Sequence, residues 1–179
     1  MRTIIQSTLI SADGVTDSPG NWALPYFDEQ FHKEAAELMH RSDAMLMGRG
    51  IYEDLSWRWP SQTGDFADAI NGIRKYVFSS TLEKAEWNNS VIVRGDALTD
   101  IARLKEEEGK DLVLFGYGRL GGALLEAGLI DELRFSVIPV VVGDTHGSST
   151  RNPSTPMTVV ESHVRRSGVV VTNYRTRPA

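Results

Sequence analysis

The sequence contains no cysteine. That removes disulfides, thiolate nucleophiles and zinc–thiolate centres, and it fits a reducing, cytoplasmic setting. Histidine is scarce, with four in 179 residues. His32 and His40 share one expected helix but stand too far apart along its axis to chelate one ion. His146 and His163 fall in an expected loop and an edge strand, so no metal site is expected. Positive charge is also short: 19 Lys and Arg against 24 Asp and Glu leave a net −5. Such a chain has no broad basic field for nucleic acid or an anionic membrane. No apolar run approaches the length that spans a bilayer, and the opening MRTIIQSTLI reads as a strand rather than a signal peptide. There is no G-x-S-x-G elbow, and no serine has a partner base visible in the sequence.

What remains is an ordinary globular composition and a length that suits one domain over residues 1–179. The most informative stretch is 111–143. It opens with the apolar run Leu112-Val113-Leu114-Phe115, which suits a buried parallel strand. Gly116-Tyr117-Gly118-Arg119-Leu120-Gly121-Gly122 follows as a turn, then the helix formers Ala123-Leu124-Leu125-Glu126-Ala127, stopped by Gly128. A strand, a glycine turn and a helix start aim free N–H groups and a positive dipole end at one point, which suits a phosphate. The equally bland alternative is a tight turn with no ligand. Gly116, Gly118 and Gly121 also satisfy G-x-G-x-x-G, but late in the chain, and Asp131-Glu132 precedes the next strand instead of following it. Both features argue against a Rossmann dinucleotide domain.

The rest alternates between strand and helix patterns. Strands are expected over 2–10, 44–47, 75–79, 91–93 and 133–142. Helices are expected over 25–42, around 66–70, and from Asp96 or Thr99 to Gly109, with Lys105 on the solvated face. Phe27, Phe31, Ala35, Leu38 and Met39 form the apolar stripe of the first helix. Gly48-Arg49-Gly50 breaks the second strand, and Trp57, Trp59 and Phe66 read as core or pocket aromatics. Residues 144–156 read as a polar loop. Residues 158–164 and 169–175 flank Arg165-Arg166-Ser167-Gly168 as a terminal hairpin. The expected fold class is α/β, with a central mostly parallel sheet and an antiparallel C-terminal edge hairpin.

Three segments then carry a resemblance. Met47-Gly48-Arg49-Gly50-Ile51-Tyr52-Glu53, Val77-Phe78-Ser79-Ser80-Thr81-Leu82 and Phe115-Gly116-Tyr117-Gly118-Arg119-Leu120 resemble, in order, three segments of dihydrofolate reductases. The continuation LLEAGLIDELRFSVIPVVVG is similar to the C-terminal reductase domain of bacterial riboflavin-biosynthesis enzymes and its stand-alone relatives. Ala12-Asp13-Gly14 and Trp87-Asn88 are similar to those relatives too.

The resemblance implies a three-layer dihydrofolate reductase-like fold and an NADPH-dependent reductase acting on a small heterocyclic, pterin- or pyrimidine-like substrate. Gly116, Gly118, Arg119 and Leu120 are then expected at the pyrophosphate, Gly48 and Arg49 at the adenosine phosphates, and Ser79 and Ser80 at the 2′-phosphate. Asp13, Trp22 and Asp28 are expected on the substrate side, and a homodimer is expected through the hairpin.

Several residues depart from the pattern. Ile51 replaces a threonine, and Tyr117 sits where a small residue is usual. Residues 144–149 replace a Gly-x-x-Leu-Phe segment. Asp28 lies one position beyond the acid of dihydrofolate reductase, a rotation of about 100° on a helix. The H-x-E and P-C-x-x-C ligands of a deaminase are absent. The alternatives are a nucleotide- or ligand-binding protein without turnover and a true dihydrofolate reductase.

Overall fold

The computed structural model describes residues 1–143 and 155–176. Its strands are β1 (Ile4–Ser11), β2 (Ser42–Gly48), β3 (Arg74–Phe78), β4 (Ser90–Val93), β5 (Asp111–Phe115), β6 (Glu132–Ile138), β7 (Met157–Val164) and β8 (Val170–Thr176). Its helices are α1 (Glu29–Arg41), α2 (Arg49–Arg58), α3 (Asp65–Gly72), α4 (Ala97–Glu106) and α5 (Gly118–Glu126). The strands form one sheet in the order β4-β3-β2-β5-β1-β6-β8-β7. The first six run parallel, and β8 pairs antiparallel with both β6 and β7.

Strand alternation builds the layers. On one face Ile5, Met45, Met47, Val77 and Val113 pack with Leu38 and Met39 of α1, Tyr52 of α2 and Phe66 and Ile70 of α3. On the other, Ile4, Ala44, Leu46, Leu112 and Leu114 pack with Ile101 and Leu104 of α4 and Leu124 of α5. Neighbouring residues of one strand therefore feed opposite cores, the signature of a sheet covered on both faces. This is the expected three-layer arrangement with an antiparallel edge.

Several element boundaries differ from expectation. Pro25 sits in a short 3₁₀ turn, Leu24–Tyr26, and α1 starts after Asp28, whose Oδ1 accepts from the Phe31 N–H at 2.8 Å. A side-chain cap outcompetes proline's preference for a first turn, because it satisfies an otherwise orphaned donor. Phe27 thus precedes the helix and stacks on Phe31 at 3.9 Å. Strand β6 stops at Ile138, since Pro139 has no N–H and Val140 N–H turns back to the Ile138 carbonyl. Gly48-Arg49-Gly50 starts α2 instead of merely ending β2.

Two side chains also reverse their expected sides. Lys105 is buried, bonded to the Leu129 carbonyl and ion-paired with Asp131. Trp57 is 82% exposed, while Trp59 packs edge-on to Phe66. The polar loop read over 144–156, with His146, lies outside the described residues apart from its last two positions.

One buried cation braces the sheet. Lys75 of β3 is fully buried and donates to the carbonyls of Asn71, Ile73 and Asn88 at 2.8–3.0 Å. Its ammonium lies 4.3 Å from the centre of the Trp87 ring. Burial lowers its pKa to about 8. Trp87 in turn donates its ring N–H to the Asn71 side-chain oxygen and its backbone N–H to the Tyr52 hydroxyl oxygen. The end of α3, the chain entering β4 and the inner face of α2 are thereby tied together.

Candidate active site at the carboxyl edge of the parallel strands

Sheet register brings three distant segments into one row. Gly48 pairs with Phe78, and Phe78 with Val93, while Leu46 pairs with Leu114 two residues before Gly116. Gly48-Arg49, Ser79-Ser80-Thr81 and Gly116 to Leu120 therefore all leave the sheet at its carboxyl edge, from the adjacent strands β3, β2 and β5. The connection from β2 leads on to β3, whereas that from β5 crosses to β6 on the far side of β1. Ligands of open α/β sheets bind where such connections diverge.

Of the helices that begin on this edge, two are unusual within the molecule. Helices α1 and α4 have aspartate caps, and α1, α3 and α4 each carry acids in the first turn. Helices α2 and α5 have no side-chain cap and no acid in the first turn. Each has an arginine there instead, Arg49 and Arg119. A cation at a helix N-terminus opposes the dipole, so the arrangement gathers positive potential and free N–H groups at one edge. Arg49 bonds the Thr81 hydroxyl at 3.0 Å, and Arg119 is exposed without a polar partner among the described residues.

The glycines divide by what a β-carbon would meet. At Gly116, with φ +77°, it would stand 3.1 Å from the Ile51 Cδ1. Ile51, in place of a threonine, thus packs against the glycine turn. At Gly121 it would stand 2.5 Å from the Gln6 carboxamide nitrogen, so this glycine serves helix–strand packing. At Gly118 (φ +39°) and at Gly48 it would meet nothing within 4 Å. Both positions are open, one at each helix start, and Gly50 in the first turn of α2 is open as well. The segment 118–122 was expected within a turn and instead forms the first residues of α5, with Tyr117 half-buried at its cap and Leu120 packed toward the core.

The serine turn is folded on itself and clamped from outside. Ser79 Oγ accepts from the N–H groups of Thr81 and Leu82 at 3.2 and 3.0 Å. Arg94, at the end of β4, forks across the carbonyls of Ser80 and Leu82 at 3.1 and 2.8 Å. Ser80 itself is exposed. The sequence offers one signal for Arg94, its position just past an apolar strand.

On the other side of β5 the sheet opens. Strand β1 pairs with β5 only through Ser7, yet with β6 through Ser11. Peptides of alternate residues in a parallel strand face opposite neighbours, and Thr3 and Ser7 carbonyls accept from β5 and its continuation. Leu9 faces the same side, and no strand pairs with it there. Its peptide offers one donor and one acceptor to the cleft. Half-buried Leu9, Phe27, Phe31, Ile51 and Phe115 supply apolar surface nearby.

The acids expected to meet substrate are otherwise engaged. Asp13 accepts from the Ser11 hydroxyl at 2.6 Å and from the N–H groups of Gly143 and Val142 at 2.9 and 3.2 Å. These bonds, the Ser11 hydroxyl first, lower its pKa to about 2. Asp28 is held below the ordinary carboxylate range, first by the Phe31 N–H it caps and also by the Arg165 charge. Trp22 donates to the Asp17 carbonyl at 3.0 Å and packs with Ala23, Ile138 and Val171.

A third acid, Glu34, joins four elements that no sequence motif connects. It receives Arg134 of β6, His163 of β7 at 3.0 Å, and Arg165 of the hairpin turn at 2.6 Å. Burial opposes its ionisation, but the Arg165 and His163 hydrogen bonds and the arginine charges outweigh it and lower the pKa. Arg165 also covers the Phe31 ring, so the cluster fixes the aromatic wall at the start of α1. A separate open depression of about 500 Å³, lined by Tyr52, Ser56, Pro60, Lys84, Glu86 and Trp87, includes none of these edge residues. No group of metal-ligating side chains occurs among the described residues, and no helix there is long and apolar enough to cross a membrane.

Comparison with known proteins agrees with this fold. A family model described as the RibD C-terminal domain matches residues 2–171. The uncharacterized protein YyaP of Bacillus subtilis is 27% identical over 152 residues, spanning 80% of this chain and 78% of YyaP. A solved structure of a putative riboflavin biosynthesis protein from a Shewanella species superposes with TM-score 0.71 at 21% identity, covering 98% of this chain and 99% of that one. A pyrimidine reductase-like protein from Corynebacterium diphtheriae superposes with TM-score 0.74 at 10% identity, covering 99% and 92%.

Proposed function

The chain belongs to the RibD C-terminal domain family, and on that premise we propose that it is an NADPH-dependent reductase acting as one domain over residues 1–179. Its substrate in this reading is a small heterocycle of the pyrimidine or pterin class. The observation that carries the proposal is the pair of uncapped, acid-free, arginine-bearing helix starts on adjacent strands. Two such starts side by side, with a hydroxyl-rich turn beside the first, suit the several phosphates of a phosphorylated dinucleotide.

The residues fit that ligand. Gly48 and Gly118 leave open space at the two helix starts, as a phosphate approaching backbone N–H groups requires. Arg49, Ser79, Ser80 and Thr81 stand together where a 2′-phosphate distinguishes NADPH from NADH. Arg119 supplies a second exposed cation. The unpaired Leu9 peptide matches the donor–acceptor pair of a carboxamide, and the half-buried aromatic wall suits a flat ring. When bound, the cofactor supplies the hydride. The protein orients it and excludes water.

The pyrimidine class is named for the Corynebacterium neighbour and is carried here as part of the proposal. Dihydrofolate fits less well, because Asp28 is spent as a helix cap. Asp13 and Asp28 are both held ionised, so neither is assigned the proton that accompanies hydride transfer. That same engagement favours the second reading, a protein that binds the nucleotide without turnover. A homodimer in the cytoplasm completes the proposal. Strand β7 is the sheet's outer edge, and Val159, Val160 and Val164 on it are exposed.

Titration with NADPH and NADH, followed by a panel of pyrimidine and pterin carbonyls and imines, tests the proposal. Tighter NADPH binding with consumption of the reduced nicotinamide on a panel member is the expected result. Tight binding with no turnover on any member supports the second reading. No binding of either nucleotide refutes both.

A further inference from the structure

Gln6 is an odd residue for the middle of a central strand. It is fully buried in the apolar layer beneath α5. Its Nε2 donates to the Gly116 carbonyl at 3.1 Å, while its Oε1 has no partner. Its carboxamide also fills the space that forces residue 121 to be glycine. A buried amide with an unpaired oxygen is costly, and an apolar side chain of similar volume avoids that cost.

The hydrogen-bond ladder shows what the residue achieves. Gly116 N–H donates to the Ser7 carbonyl at 2.9 Å, the last rung between β1 and the chain leaving β5. In an uninterrupted parallel ladder the next rung runs from the Leu9 N–H to the Gly116 carbonyl. That rung is missing. The carbonyl is turned to Gln6 instead, with Gly116 at φ +77°.

We propose that Gln6 is a positioning residue that captures the Gly116 carbonyl, ends the β1–β5 ladder at Ser7, and so leaves the Leu9 peptide free to bind ligand while aiming the start of α5 outward. The capture itself is independent of ligand identity; its consequence for NADPH rests on the function proposed above. Gly121 is the partner of this arrangement, since only glycine leaves room for the carboxamide.

Gln6→Leu is the test, with Gln6→Met as the second variant should the branched side chain fail to fold. Amide hydrogen exchange at Leu9 is read without ligand, and NADPH affinity is read by titration. The parent is expected to exchange rapidly at Leu9. In the variant the freed Gly116 carbonyl takes the Leu9 N–H, so exchange slows at least about tenfold, and the NADPH dissociation constant rises at least about tenfold, roughly the weight of one good hydrogen bond. A folded variant in which neither Leu9 exchange nor NADPH affinity changes overturns the proposal. A Leu9 amide already protected in the parent overturns it as well. If the parent binds no NADPH but Leu9 exchange slows in the variant, the cofactor reading fails and the role of Gln6 stands. Gly121→Ala adds a reciprocal check: it is expected to destabilise the parent and to be tolerated beside Gln6→Ala, because the carboxamide that would clash is gone.

Discussion

Replacing Gly48 with aspartate separates a ligand-binding helix start from a structural one, because the two roles predict opposite signs. Gly48 is the cap of α2 with φ −82° and ψ 170°, a conformation open to any residue, and a β-carbon there meets nothing within 4 Å. Nothing in the fold requires glycine at this position. Aspartate is a better cap than glycine by a few tenths of a kcal/mol, and its charge at the dipole's positive end adds about 0.3–1 kcal/mol. The melting temperature should therefore rise by about 1–4 °C.

Ligand binding should move the other way. The new carboxylate takes the N–H groups a phosphate would use and repels it. Two like charges about 4 Å apart cost about 1 kcal/mol in bulk water and about 4 kcal/mol at the effective dielectric of a protein surface. That corresponds to a loss of NADPH affinity between about fivefold and about a thousandfold. Gly48→Ser, which caps without charge, should lie between parent and aspartate. Calorimetric titration and thermal melting on the same preparations decide it. A Gly48→Asp protein that melts higher and binds NADPH as the parent does would falsify the placing of phosphate at α2. Gly118→Val is a poorer probe, since φ +39° strains any β-carbon whatever binds nearby.

Three further outcomes are expected. Arg94→Lys keeps the charge but loses the fork across the Ser80 and Leu82 carbonyls, so NADPH affinity should fall about threefold to tenfold with NADH affinity unchanged; equal losses for both nucleotides would contradict this. Lys75→Met leaves three buried carbonyls unpaired and should cost about 2 kcal/mol by denaturant unfolding near neutral pH. Because the Lys75 pKa is lowered to about 8 in the native state, the unfolded chain holds a proton the native chain has lost between about pH 8 and the ordinary lysine value near 10.4. The parent should gain stability from this group as pH rises through that window. Lys75→Met should show no such gain, and a parallel pH dependence in the two proteins would refute the assignment. Light scattering at micromolar concentration should give twice the chain mass, with Val159→Lys on the exposed edge reducing it toward one chain; a parent of monomer mass ends the dimer proposal.

What the sequence disclosed was local and periodic. The paired strand faces, the Asp96 cap, the hairpin around Gly168 and the order of the three glycine- and serine-bearing segments all lie within short windows, where spacing and turn chemistry decide the outcome. Sheet register then brought Gly48, Ser79 and Gly116 onto one edge, which spacing alone does not reveal. The misread boundaries came from competing local signals. Pro25 looked like a helix start until the Asp28 carboxylate proved the stronger one, and Gly118 looked like turn when it was already helix.

The long-range polar contacts were illegible for a different reason. Glu34 meets Arg134, His163 and Arg165 from about a hundred or more residues away. Lys105 reads as solvated on its own helix, and only the arrival of Asp131 explains its burial. Gln6 reads as one polar residue in an apolar strand. Its meaning lies in the Gly116 carbonyl, 110 positions on in sequence.

The most direct test of the account is titration of the purified protein with NADPH, with NADH in parallel, monitored by calorimetry and by the Leu9 and Gly118 amide signals. Saturable binding of one NADPH per chain, weaker binding of NADH, and ligand-dependent shifts at both amides are expected. Absence of saturable NADPH binding at about millimolar concentration, the weak limit at roughly −4 kcal/mol, with both amides unmoved, would contradict it.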